Sequence, residues 1–174
     1  MMTGPEAHRD GSTGDTGMLS EAYDDVIGGS LDETGAVIMG KRMFEMIDNP
    51  DGWVAPNGYQ FTWPVFVLTH EVREPVTKGK TAFVFINDGI ESALAQAKAA
   101  ASDKNIGIAG GNVAQQFIQA GLLDEVSIHL VPVFLGGGVR LFDHLGVSPR
   151  ELEFTGGKQV AGVTHLRFRF RNAR

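Results

Sequence analysis

The stretch NIGIAGGNVAQQFIQAGLLDE, Asn105 to Glu125, constrains the fold most. An apolar run, Ile106–Ala109, meets two adjacent glycines, Gly110 and Gly111, and a helix-like segment follows at once. That is the signature of a strand turning straight into a helix. Asn112 is a suitable N-cap, and Gln115 three residues on resembles a capping box. Gly121 is placed as the C-cap. Glycine at such a turn permits close approach of another group to the backbone. A helix N-terminus there presents free N–H groups that suit a phosphate. A turn made only for tight packing has the same composition, so both readings stand on this stretch alone.

The rest of the chain repeats the alternation. GAVIM (Gly35–Met39), PVFVLT (Pro64–Thr69), TAFVFI (Thr81–Ile86) and NIGIAG read as buried strands. KRMFEMI reads as helix. GIESALAQAKAAA places Ile90, Ala93, Leu94, Ala97 and Ala101 on one helical face. LSEAYDDVIGG is an earlier helix candidate. DEVSIHLVPVFL reads as a long strand with a bulge or exposed edge at Pro132. ELEFTGGKQVAGVTHLRFRFR reads as a closing hairpin. The expectation is an α/β domain with a mostly parallel sheet and antiparallel strands at the end. Met1–Gly17 is polar and glycine-rich and reads as poorly ordered, leaving residues 18–174 as a single domain.

Composition removes several functions. A net charge of −6 argues against general affinity for nucleic acid or anionic membrane. The absence of cysteine excludes disulfides, thiolate catalysis and Cys-based zinc sites. His8, His70, His129, His144 and His165 show no ligand spacing, so no metal is expected. No stretch approaches the roughly 20 apolar residues of a membrane span, and no secretory signal is visible. A cytoplasmic protein is expected. There is no G-x-G-x-x-G and no G-x-S-x-G. The Gly79-Lys80-Thr81 triplet has Glu74 where a P-loop needs its first glycine.

Two other strand ends carry ligand-like chemistry. VIMGKRMFEM puts Gly40 at a strand end and Lys41 and Arg42 in the first helical turn. Cations there oppose the helix dipole by about 0.3–1 kcal/mol each, a cost that a bound anion reverses and that solvation of both side chains reduces. VFVLTH ends in Thr69 and His70, beyond which open α/β sheets bind ligands.

In this order the segments GAVIMGKRMFE, PVFVLTH and IGIAGGNVAQQFIQAGLLDEVSIHLVPVFLGGGVRLF resemble the dihydrofolate-reductase-like fold. They are more closely similar to the bacterial RibD C-terminal-domain family, the riboflavin-pathway reductase domain and its stand-alone relatives. The similarity runs from about Leu19 to Arg171. It implies a three-layer sandwich and an NADPH-dependent reductase. By position it assigns the cofactor phosphates to Gly40, Lys41 and Arg42 and to Gly110, Gly111, Asn112 and Val113. It places Leu68, Thr69 and His70 near the adenosine and its 2′-phosphate. Asp24, 16 residues before Gly40, matches the proton-donating carboxylate of dihydrofolate reductases, with a solvated helix face as the alternative.

The loop Phe134–Phe142 has three consecutive glycines, and Arg140 within it is a candidate for a substrate phosphate or carboxylate. Arg167, Arg169 and Arg171 alternate with Leu166, Phe168 and Phe170, which reads as a solvated basic face or a dimer edge. A homodimer is expected. Family members begin with an apolar strand and an S-L-D-G segment. Here SLDET (Ser30–Thr34) follows a helix candidate, so the similarity implies a missing N-terminal strand and an unfilled slot in the sheet. The implied substrate is a pterin such as dihydrofolate or a ribosylated aminopyrimidine. No H-x-E…P-C-x-x-C deaminase signature accompanies it. The alternative is a non-catalytic nucleotide-binding or assembly protein on the same fold.

Overall fold

The computed structural model describes residues 31–48, 50–55, 58–134, 136–143, 145–146, 149–160 and 162–171. The helix expected over LSEAYDDVIGG, the segment Met1–Gly17 and Asp24 lie outside the described residues.

Strand β1 (Thr34–Gly40) occupies the middle of a five-stranded sheet. Ala36, Val37, Ile38 and Met39 are all buried, as a run apolar on both faces requires. On one side β1 pairs in parallel with β2 (Val65–Leu68), and on the other with β5 (Asn105–Ala109). Beyond β2 lies β4 (Thr81–Ile86), also parallel. The short β3 (Val76–Lys78) closes that edge antiparallel to β4.

Alternation along β1 divides the core into two layers. Ala36 and Ile38 face α2 (Ile90–Ala101) and α3 (Gly111–Ala120), where they meet Ala93, Ala97, Val113 and Phe117. Val37 and Met39 face α1 (Lys41–Ile47), where they meet Phe44 and Phe83. Alanines along α2 let that helix sit close to the sheet. The approach is tightest at Gly35, where an added Cβ would lie 2.5 Å from the Ala101 carbonyl oxygen.

The excursion between α1 and β2 carries an aromatic cluster. Trp53, Phe61 and Trp63 pack with ring centroids 4.6 and 4.8 Å apart. Its anchor is Thr81, fully buried, whose hydroxyl donates to Phe61 O at 2.7 Å and accepts from Trp53 N at 3.3 Å.

After α3, Gly121 takes the left-handed conformation (φ +68°) and caps the helix, as expected. The chain then enters a second sheet, β6 (Glu125–Leu130), β8 (Val163–Phe170) and β7 (Leu152–Val160), all antiparallel neighbours. The long strand expected through Pro132 stops at Leu130, and the proline lies just beyond it. The expected closing hairpin is β7–β8. Its arginines are partnered on the solvent side, Arg169 with Glu125 and Arg171 with Glu151 at 2.8 Å each. Among the described residues nothing pairs with the outer edge of β5 or of β6. Leu130, Val131, Val133 and Phe134, which follow that edge of β6, are exposed. No helix among the described residues is long and apolar enough to cross a membrane.

Two predictions follow from this packing. Gly35→Ala should destabilise the fold by about 1–3 kcal/mol, the usual cost of overpacking. In a thermal melt that is a fall of several degrees; an unchanged midpoint would show that α2 does not sit this close.

The second concerns His129 and His165, cross-strand partners whose Nδ1 atoms are 2.6 Å apart. Lys158 continues the same row on β7. Desolvation first, and then the neighbouring His165, hold the His129 pKa below the ordinary histidine value. A depressed folded pKa means stability that is complete above the unfolded value of about 6.5 and is lost as pH falls through the folded one. Denaturant midpoints should therefore drop from pH 7.5 to pH 5, and the drop should be smaller in His129→Gln. Parallel pH profiles for the two proteins would refute the assignment.

Candidate functional site

The parallel strands β5, β1, β2 and β4 end side by side in that order, and the sequence-predicted cofactor residues lie along this edge. Gly40 pairs in register with Leu68, and Leu68 with Ile86. Adjacent strands are about 4.8 Å apart, so the edge from β5 to β2 spans roughly 10 Å.

At the β5 end, Gly110 has φ +99°, a conformation that disfavours any side chain. Among the described residues, nothing lies within 4 Å of where its Cβ would stand. The turn is thus an open backbone ledge. Helix α3 begins at Gly111 with no side-chain cap. This corrects the expected capping box. Asn112 lies inside the first turn, exposed, and its Oδ1 accepts from Gln116 Nε2 at 2.8 Å. The cap is left to Gly110, whose carbonyl accepts from Ala114 N at 3.0 Å. The N–H groups ahead of Ala114 have no acceptor within the helix and remain available to an anion.

Gly40 brings the second turn against the first. A Cβ there would lie 3.3 Å from Val113 Cγ2, so the β1 end and the start of α3 are in direct contact. Lys41 and Arg42 follow, but they diverge. Lys41 Nζ is engaged by the Glu71 carboxylate, with Glu45 at 3.8 Å. The hydrogen bond to Glu71 is the main reason its pKa is raised and that of Glu71 lowered. Arg42 is exposed and has no ion pair among the described residues.

Just past β2, Thr69 is buried and its hydroxyl accepts from Glu71 N at 3.1 Å. This local turn fixes where Glu71 starts. His70 is exposed beside it.

The glycine-rich loop is held over the ledge by a residue whose role the sequence did not disclose. Gln115, buried on α3, donates through Nε2 to Arg140 O at 2.9 Å and to Leu141 O at 3.3 Å. The contact sets Val139 Cγ1 3.4 Å from the position of a Cβ on Gly111. The loop's contribution here is therefore backbone and Val139. The Arg140 side chain is exposed and faces Asp143, with NH1 to Oδ2 3.8 Å. A separate cavity of about 230 Å³, lined by Ile118, Phe142, Leu152 and Phe170 among others, sits at the opposite end of α3 and contains none of these residues.

Two solved structures share the fold. A putative riboflavin biosynthesis protein from Shewanella sp. PV-4 matches 94% of this chain and 84% of its own at 24% identity and a TM-score of 0.63. RibD from Acinetobacter baumannii (form 2) matches 87% of this chain and 51% of its own at 17% identity and a TM-score of 0.60. The uncharacterized protein YwjB of Bacillus subtilis (strain 168) is 34% identical over 85 residues. That alignment spans about half the length of this curated relative, 48% of each chain. Residues 6–166 match the family model described as the RibD C-terminal domain. With a mostly parallel sheet, an antiparallel closing hairpin and nearly the whole length matched, the chain belongs to the RibD C-terminal domain family.

Proposed function

We propose that this chain is a reductase that takes NADPH and acts on a small heterocycle, a pterin such as dihydrofolate or a ribosylated aminopyrimidine. The observation that carries the reading is the open ledge at Gly110, in contact through Val113 and Gly40 with a turn bearing the uncommitted Arg42. A pyrophosphate fits this chemistry: backbone N–H groups at the start of α3, and a guanidinium on the neighbouring turn.

Bound NADPH supplies a hydride from its nicotinamide ring. The chain's own part is to bind and orient. Gly110 and the first turn of α3 receive phosphate oxygens. Arg42 adds charge. Gln115 fixes the loop, and Val139 shields the ledge from water on that side.

The decisive experiment is NADPH oxidation with a panel of pterins and aminopyrimidines, alongside a fluorescence titration of NADPH. Turnover with one substrate class is expected; absence of both binding and turnover would overturn the reading. Arg42→Glu should weaken NADPH by about 10- to 100-fold, the range of a contact worth about 1.5–3 kcal/mol. The loss should shrink at high salt, because the arginine is exposed.

Gln115→Met keeps the volume of the side chain and removes both hydrogen bonds to the loop. At about 0.5–1.5 kcal/mol for each of the two bonds, Kd for NADPH should rise roughly 5- to 150-fold. Unaltered affinity would mean the loop is not part of the site.

A further inference from the structure

The Lys41–Glu71 pair has a consequence for which dinucleotide the site prefers. Along the strand-end edge, the pyrophosphate ledge is at β5 and the next turn is at β1. In the proposed binding mode, the adenosine end of a dinucleotide laid across them reaches the end of β2. At that place the chain presents a carboxylate. Glu71 lies two residues past Thr69, its backbone N–H is held by the Thr69 hydroxyl, and its side chain lies on Lys41. The cations near it are Lys41 and Arg73, and the other carboxylate on Lys41 is Glu45. Lys41 is thus flanked by two carboxylates, while Arg42 beside it is not.

A carboxylate beside the 2′ position of a bound ribose repels a phosphate on that carbon. We propose that Glu71 is a specificity-determining residue. It holds Lys41 away from a 2′-phosphate and so narrows the preference of the site for NADPH over NADH. The inference rests on the proposed function and deepens it. A 2′-phosphate must displace the Glu71 carboxylate from Lys41 before it gains the lysine. A free 2′-hydroxyl has no such requirement. Glu71 therefore acts against one dinucleotide, and it acts through Lys41.

The pair also has a plain structural role, as a surface ion pair joining the α1 turn to the β2 end, and such pairs add little stability. The two roles separate in the ratio of affinities. Glu71→Gln keeps the side-chain shape and removes the charge. NADPH affinity should rise about tenfold, the size of one released charge-assisted contact, and NADH affinity should stay within about twofold. In a Lys41→Met background the same substitution should no longer shift the ratio as far, since the lysine it frees is gone. The measurements are fluorescence titrations of both dinucleotides with the full chain, at low and high salt, with melting temperatures recorded for each variant. Equal shifts for NADPH and NADH, or no shift for either, would overturn the role of Glu71 while leaving the proposed function standing. Failure of the unaltered protein to bind either dinucleotide would overturn the proposed function, and this inference with it.

Discussion

Burial of β1 on both faces is the constraint on which the rest depends. Four consecutive apolar residues, Ala36 to Met39, admit no solvent on either side, so helices must cover both faces of the sheet. Coverage dictates the connections. Each parallel neighbour needs a crossover, and each crossover returns the chain to the same edge. Gly40, Thr69 and Gly110 arrive side by side for that reason. The site is a by-product of how β1 is buried, and Gly35 sets how closely one of the covering helices can sit.

Much of this was legible in the sequence because the apolar runs are short and clean. GAVIM, TAFVFI and the alanine face of α2 appear where their periodicity puts them. The errors share a cause: they fall where tertiary partners outrank local pattern. β3 has only three residues, Val76–Lys78, and gains its strand geometry from β4. The aromatic excursion has no period and is tied to β4 through the hydroxyl of Thr81. The capping box at Asn112 and Gln115 satisfied a local rule, yet Gln115 spends its amide on the loop carbonyls. A buried glutamine off the apolar stripe formed by Val113 and Phe117 is a signal that the helix is covered on a second side. That signal is visible only once the burial is known.

The site residues show the same division. Glycine positions were readable because steric need is local: a φ of +99° at Gly110 is a property of one residue. Charge roles were not. Lys41 and Arg42 are adjacent and alike in sequence, and both oppose the dipole of the same helix. A carboxylate 30 residues from Lys41 in sequence separates their fates. The pairing engages one cation and leaves the other without an ion pair among the described residues. Electrostatic function in this chain is set by neighbours from different strand ends, which no spacing within one segment reports.

The ledge also inherits a mechanical asymmetry. β1 and β2 are paired on both sides, and their ends at Gly40 and Leu68 are fixed by neighbours left and right. β5 is paired with β1 alone among the described residues, and Ile106 to Ala109 are only half-buried. Gly110 is the continuation of that singly paired strand. Its position therefore depends on contacts outside the ladder: Gly40 against Val113, and Gln115 with its hold on the loop at Val139. Among the described residues, the buried amide of Gln115 and the close fit of Gly40 thus add contacts made by α3 to the one ladder that positions the end of β5.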